Sequence, residues 1–416
     1  MFFRRQRLRL RSAYREYPRH FWTIVFATFV DRLGGFLIFP FFTLYITRKF
    51  GVGMTTVGLL FGIFSVTSIL GSTIGGALSD RIGRKAMLLF GLVSSALSML
   101  WMGLVDDLSL FFVGSVIAGL FSHVGGPAQQ AMVADLLPEK QRADGFGILR
   151  VTVNVSATLG PAIGGLLAAQ SYLLLFVSDA ITSLSVAVFL LFLLPETRPV
   201  WPGDKSQESL AVTFKGYGVP LRDATFMVFL LGSTLMVLVY MQLNSTLAVY
   251  LRDVHGVLEQ RFGYLVSLNA ILVVLLQFPI TRSTSSYPPF TILAVASMFY
   301  AFGFAMYGFV SEYALFLLAM VIITIGEMLS IPVTQALVAR LAPSDMRGRY
   351  MAVFGYSWSV PSAVGPLLAG VIMDNTDPRW VWYAAGMVGT AAAALFMNLR
   401  RQELRKMEAT PAVSDG

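Results

Sequence analysis

Twelve runs of about twenty apolar residues constrain this chain more than any other feature of it. They lie near 22–46, 56–79, 86–105, 108–135, 142–168, 171–195, 225–251, 261–281, 289–310, 313–340, 347–373 and 380–399. As a helix, a run of that length matches the roughly 30 Å hydrocarbon core of a bilayer and satisfies its own backbone polar groups there. Composition agrees, since only 13% of the 416 residues are charged, about half the share needed to coat a soluble globule. The expected fold is an all-α polytopic membrane protein with 12 transmembrane helices. The first run exceeds a signal-peptide core and contains Asp31 and Arg32, so it reads as a span and not as a cleaved leader.

Absences exclude most chemistry. There is no Cys, and the three His residues, His20, His123 and His255, are scattered, so neither thiolate chemistry nor a zinc cage is expected. No Gly-Lys dipeptide, G-x-S-x-G or H-E-x-x-H occurs, which removes a Walker A loop and the common hydrolase signatures. The chain is read as neither an enzyme nor a cofactor protein. Its net charge of +8 does not indicate nucleic acid, because the charge is sorted by side. The tails and loops of one side hold 24 Lys and Arg, seven of them in the N-terminal tail, and the other side holds five. By the positive-inside rule both termini are cytoplasmic, and the basic tail lies against anionic membrane lipid.

The longest connection, 197–224, is rich in Gly, Pro and mixed charge and reads as a cytoplasmic linker. It separates bundles of six spans at 22–196 and 225–399, flanked by tails at 1–21 and 400–416. The halves are repeats: shifted by 205, residues 127–165 align without a gap on 332–370, with twelve of 39 positions identical. Pro127 meets Pro332, Gln130 meets Gln335, Arg142 meets Arg347, and Gly160-Pro161 meets Gly365-Pro366. Repeats running in the same direction imply two bundles related by a pseudo-twofold axis along the membrane normal.

Between the second and third spans stands Gly76-Ala77-Leu78-Ser79-Asp80-Arg81-Ile82-Gly83-Arg84-Lys85. This resembles the signature loop of the major facilitator superfamily, G-x-L-x-D-R-x-G-R-K. The second half lacks a copy, with Ser285 at the mate of Asp80. In the fifth span, Gly160, Pro161, Gly164 and Gly165 resemble the core of the antiporter motif, whose first Gly is Ser156 here. The chain is thus similar to the 12-span drug:proton antiporters, although its fourth span lacks the Arg that those often carry. The resemblance implies that Asp80 faces the N-terminus of the eleventh span. Arg84 needs an acid, and Asp135 is available. Together Gly76, Asp80, Arg81, Gly83, Arg84, Lys85 and Asp135 read as a latch.

Ionisable groups inside a bilayer are costly and default to function. Six stand out: Asp31, Arg32, His123, Arg150, Asp179 and Glu327. Asp31 and Arg150 lie nine and eight residues into parallel spans, about 13 and 12 Å deep at 1.5 Å per residue, so a network of Asp31, Arg32 and Arg150 is expected. Glu327 has no basic residue of its half at its depth, so desolvation favours its neutral form and makes it the candidate for proton coupling. Asp179 reads as a relay group or as a hydrated one nearer the outer end of its span, and His123 as a buried imidazole or a proton switch. Phe39, Phe42, Tyr45, Asn154, Tyr240, Gln242 and Asn244 are candidates to line a cavity.

The leading expectation is proton-coupled efflux of hydrophobic or amphipathic compounds such as drugs by alternating access. It is energised by the proton gradient, with no cofactor, by a monomer in what the compact loops suggest is a bacterial inner membrane. A proton-coupled metabolite symporter and a lipid or lysolipid translocator on the same fold stay open, as does, more remotely, a receptor that transports nothing. Topology is directly testable. Reporters at both termini and at 205–215 are expected to read cytoplasmic and those near 107 and 254 external, and an external C-terminus contradicts the twelve-span scheme.

Overall fold

The computed structural model describes residues 16–197, 218–284, 286–343 and 346–409. Among these the chain is α-helical with short 3-10 turns and has no strand. Twelve stretches are long and apolar enough to cross a membrane. They are Arg19–Phe50, Met54–Gly76, Arg84–Leu104, Leu108–Leu136, Asp144–Gln170, Tyr172–Leu193, Ala224–Leu243, Glu259–Thr284, Pro289–Phe309, Tyr313–Val338, Val353–Asn375 and Trp380–Arg405. Several helices outrun their apolar cores. Met54–Ile82, Glu139–Gln170 and Trp380–Ala409 carry polar turns beyond the span, so the last helix continues past 399. Of the 197–224 connection, residues 198–217 lie outside the described residues.

Three spans are interrupted for legible reasons. In the first, Pro40 lacks an amide hydrogen and the helix tightens through a 3-10 turn at Phe39–Phe41. The fourth breaks at His123, between Leu108–Ser122 and Gly125–Leu136. The seventh passes through the 3-10 turn Met241–Leu243 before resuming at Leu247–His255. There the Gln242 side chain repairs the break: its Oε1 accepts from Thr246 Oγ1 at 2.9 Å, and its Nε2 donates to the Leu238 carbonyl at 3.0 Å.

The chain divides into two compact units. The first comprises Met1–Tyr45, Ile63–Pro202 and Glu259–Ser267, and the second Ile46–Gly62, Gly203–Leu258 and Leu268–Gly416. The opening turns of the second span therefore group with the second unit, and those of the eighth with the first. Large apolar side chains such as Phe192, Phe278 and Phe309 are 79, 75 and 75% exposed, as suits a lipid-facing surface.

In the first unit, Phe21, Ile24, Leu92, Met132, Val133 and Leu190 form one core. Spans one and five approach until a Cβ on Gly160 would strike Phe36 and one on Gly164 would strike Leu37 and Phe41. Ser156 lies on the same contact and donates to the Phe29 carbonyl at 2.9 Å. In the second unit, Trp382 is fully buried among Tyr250, Phe304 and Tyr307, and Phe229 stacks on Phe354 at 5.6 Å. The Asp374 carboxylate accepts from the backbone N–H groups of Met54 and Thr55, both at 2.8 Å, and so caps the helix Met54–Ile82 from the end of the eleventh span. Ala363, Pro366–Leu367 and Gly370 form the face that meets residues 54–62, whereas Gly365 faces Leu238 and Gln242 of the seventh span. Residue 365 thus does not share the face that meets the second span. Gly160→Val and Gly164→Val are each expected to destabilise the protein by about 1–3 kcal/mol. Gly147→Ala, with open space around it, is expected to be neutral or to stabilise by about 0.5–1 kcal/mol. Unfolding midpoints in detergent check the contrast.

Candidate functional site

Glu327 sits mid-way along the helix Tyr313–Leu341 and is 9% exposed. Its two oxygens are held separately. Oε1 accepts from the Tyr240 hydroxyl at 3.2 Å, and Oε2 accepts from Asn269 Nδ2 at 2.7 Å. Asn269 is itself oriented by Thr324 Oγ1 at 3.0 Å. The Tyr240 ring stacks on Tyr300 at 5.9 Å and meets Trp358 edge-on at 6.1 Å, which fixes where its hydroxyl points. Among the described residues both hydrogen-bonding partners of the carboxyl are neutral. A cavity of about 30 Å³ touches Tyr240, Tyr300, Ser330 and Trp358. That is room for a water, one hydrogen bond from Glu327 by way of Tyr240. The arrangement suits a carboxyl that changes protonation state: neutral donors tolerate either form, and no fixed cation locks the anion.

The embedded charges of the first unit gather differently from expectation. Asp31 Oδ1 accepts from Ser183 Oγ at 3.1 Å, and Arg32 acts electrostatically on Asp31, Asp179 and His123. Arg150 is exposed and, among the described residues, forms no ion pair with Asp31, which corrects the expected Asp31–Arg32–Arg150 network. The reason is helical phase. Phe29 faces Ser156 on the fifth span, and two residues advance the helix by about 200°, so Asp31 turns toward the sixth span. There it meets Asp179, which is 4% exposed and not hydrated at the outer end of its span. Gly34 permits this, since a Cβ there would strike Thr182 and Asp179. His123 is accessible, at the helix break, with its ring edge-on to Phe64 at 5.4 Å.

The loop between spans two and three is a knot of charge and backbone. Gly83 has φ +126°, open to glycine and strained for other residues. Arg84 is buried, pairs with Asp135, and donates from Nη1 to the Ala131 carbonyl at 3.2 Å. Glu196 accepts from the backbone N–H groups of Arg84 at 3.0 Å and Lys85 at 3.1 Å, capping the helix Arg84–Leu104. Lys85 Nζ donates to the Leu191 carbonyl at 2.7 Å. Gly76 lies beside Pro127, and Arg81 is exposed. The side chain of Asp80 lies outside the described residues.

Over residues 24–360 and 261–415 the sequence matches the Major Facilitator Superfamily. The chain belongs to that superfamily. It is 28% identical over 379 residues to the Na(+), Li(+), K(+)/H(+) antiporter of Planococcus maritimus, covering 84% of this chain and 87% of the relative. It is 24% identical to the multidrug resistance protein MdtH of Shigella flexneri, over 86% of this chain and 88% of that one. In fold it is similar to a POT family transporter crystallised with 5-aminolevulinic acid, with TM-score 0.78, 16% identity, and 92% and 96% of the two chains covered.

As a superfamily transporter, a multi-pass membrane protein of a family that is not enzymatic, the molecule spends some candidate cavity residues elsewhere. Tyr45 is buried in an aromatic cluster with Phe111, Tyr172 and Phe176 and donates to the Met102 carbonyl at 2.8 Å. Phe42, half-buried, packs on Phe111 and Phe176. Both therefore belong to the packing of the first unit, which corrects the cavity assignment for these two, whereas Gln242 both mends the helix break and lines a cavity of about 130 Å³ beside Gly365 and Leu368. Phe39 is exposed, and Asn154 and Asn244 are half-buried. Of the antiporter-like motif, Gly160 and Gly164 face the first span, while the Pro161 carbonyl and Gly165 lie against Gly263 and Gln260 of the eighth. Sequence reading missed Asn269, Tyr300 and Trp358 around Glu327, and Glu196 and Ser183. Asn269 alone carried a usable signal, an amide in an apolar run.

The charge knot yields a cycle. Arg84→Ala and Asp135→Asn are each expected to slow turnover severalfold with substrate affinity nearly unchanged, and the double variant to be little worse than either single. A coupling energy below about 0.5 kcal/mol in transport rates contradicts the partnership.

Proposed function

We propose that this superfamily member is a proton-coupled exporter of hydrophobic or amphipathic compounds, working by alternating access, with Glu327 as the coupling carboxyl. The observation that carries the reading is a buried carboxyl held by a neutral hydroxyl and a neutral amide beside a cavity of water size. A desolvated anion with no counter-charge is costly. Glu327 therefore gains by taking a proton whenever no cation is near, and a cationic or polarised substrate competes with that proton. Tyr240 transmits the exchange: its hydroxyl reaches Glu327, and its ring belongs to an aromatic set with Tyr300 and Trp358 that suits apolar ligands. The multidrug resistance relative supports the substrate class, and the antiporter relative supports exchange against protons. The antiporter relative also favours a second reading, in which the exported species is a monovalent inorganic cation.

Glu327→Gln keeps the size of the side chain and mimics its protonated form but removes the titration. In reconstituted vesicles it is expected to abolish accumulation driven by a pH gradient while substrate counterflow survives. Asn269→Ala is expected to weaken coupling partially, because one of the two donors remains. Wild-type accumulation by Glu327→Gln overturns the assignment. Substrate and protons moving in the same direction in the wild type favours the symport reading instead.

A further inference from the structure

We propose that the first unit holds a second, separate site for a small monovalent cation, Na+ or Li+, built from Asp31 and Asp179 with the hydroxyls of Thr182 and Ser183. Three observations converge on it. The first is an unpartnered acid: Asp179 is 4% exposed, and among the described residues no hydrogen-bond donor reaches its carboxylate. A buried carboxylate without a donor requires a counter-ion or a proton.

The second is geometry. On the helix Tyr172–Leu193, Asp179, Thr182 and Ser183 stand at i, i+3 and i+4, one face of the helix. That face meets Asp31 and Gly34 of the first span, themselves three residues apart. Ser183 Oγ donates to Asp31 Oδ1 at 3.1 Å, and Thr182 Oγ1 donates to the Asp179 carbonyl at 2.8 Å. Both hydroxyl hydrogens are thus committed elsewhere, and the oxygen lone pairs stay free for a cation. Thr182 Oγ1 and Asp179 Oδ1 both crowd the place that a Cβ of residue 34 would take, with the carboxylate oxygen 2.8 Å from it. Glycine at 34 is what lets these oxygens come together. Carboxylates and hydroxyls are hard oxygen donors, the set that alkali and alkaline-earth cations prefer.

The third is charge. Arg32 acts on both acids, Asp31 acts on Asp179, and Arg32 also acts on His123. Two ionised carboxylates and one guanidinium leave one negative charge. One monovalent cation balances it, and so does one proton; the two are competing occupants. A divalent ion would overshoot the balance and would have to displace Arg32. The site gives the cation-exchange reading a location, and it stands apart from Glu327, which belongs to the other unit.

The test uses the full-length protein in detergent, with its unfolding midpoint followed in NaCl or LiCl against choline chloride at equal ionic strength. A ligand that binds only the folded state raises the midpoint with concentration. Na+ or Li+ is expected to raise it at neutral pH and to lose the effect at low pH, where protons take the carboxylates. Asp179→Asn and Asp31→Asn are expected to abolish the response, and Glu327→Gln to keep it. Because an acid variant is able to fail in folding, Thr182→Val/Ser183→Ala serves as the second variant. It keeps every charge, and its apparent cation affinity is expected to fall about tenfold or more with the midpoint in choline near wild type. A wild-type midpoint that responds to Na+ and Li+ no more than to choline overturns the proposal. So does a cation response undiminished in Asp179→Asn.

Discussion

Removing a carboxylate from water is the physical problem around which the rest of this structure is arranged. Inside a bilayer an acid needs donors, a counter-charge or a proton, and without one of them the anion does not persist. The two units answer differently. In the second, Glu327 has two neutral donors and among the described residues no hydrogen-bonding cation. In the first, Asp31 and Asp179 share the field of one guanidinium and one donated hydroxyl hydrogen. The first solution leaves a single group free to titrate. The second places a pair of acids beside one guanidinium.

Both solutions need their surroundings held still, and the small residues do this. Helices in lipid gain nothing from hiding apolar side chains from water, so close backbone approach and interhelical hydrogen bonds hold them together. Gly160 and Gly164 bring the fifth span onto the first, and Gly34 brings the first onto the sixth. Ser156 is informative because it replaces a glycine of the family pattern. Its hydroxyl donates to the Phe29 carbonyl at 2.9 Å, so the departure adds a tether between the first and fifth spans. That contact also sets the rotation of the first span, and with it the direction in which Asp31 points.

On the loop side, charge works in water's reach and has a different task. Arg84, Asp135 and Glu196 tie the helix Arg84–Leu104 to the ends of the fourth and sixth spans, with Glu196 spending its charge on two orphan amides. The signature loop is therefore structural at its second half, through Gly83, Arg84 and Lys85, whatever Asp80 contributes at its first.

The sequence by itself determined the twelve spans, because run length and apolarity are one-dimensional properties that the bilayer reads directly. It determined the repeat and the family, since Pro, Gln, Arg and Gly recur at fixed offsets. It also singled out Glu327, because a lone acid in an apolar run is conspicuous. What it did not determine is helical phase and partner choice. Asp31 and Arg150 have matching depths, yet they do not meet, because depth follows from counting residues while direction follows from which faces pack. Tyr45 and Phe42 look like cavity residues in a string of letters, and only packing shows that they fill an aromatic core. Asn269, Glu196 and Ser183 became visible only in three dimensions. Their roles come from partners 58, 112 and 152 residues away in sequence, and only the tertiary structure brings such groups within hydrogen-bonding distance.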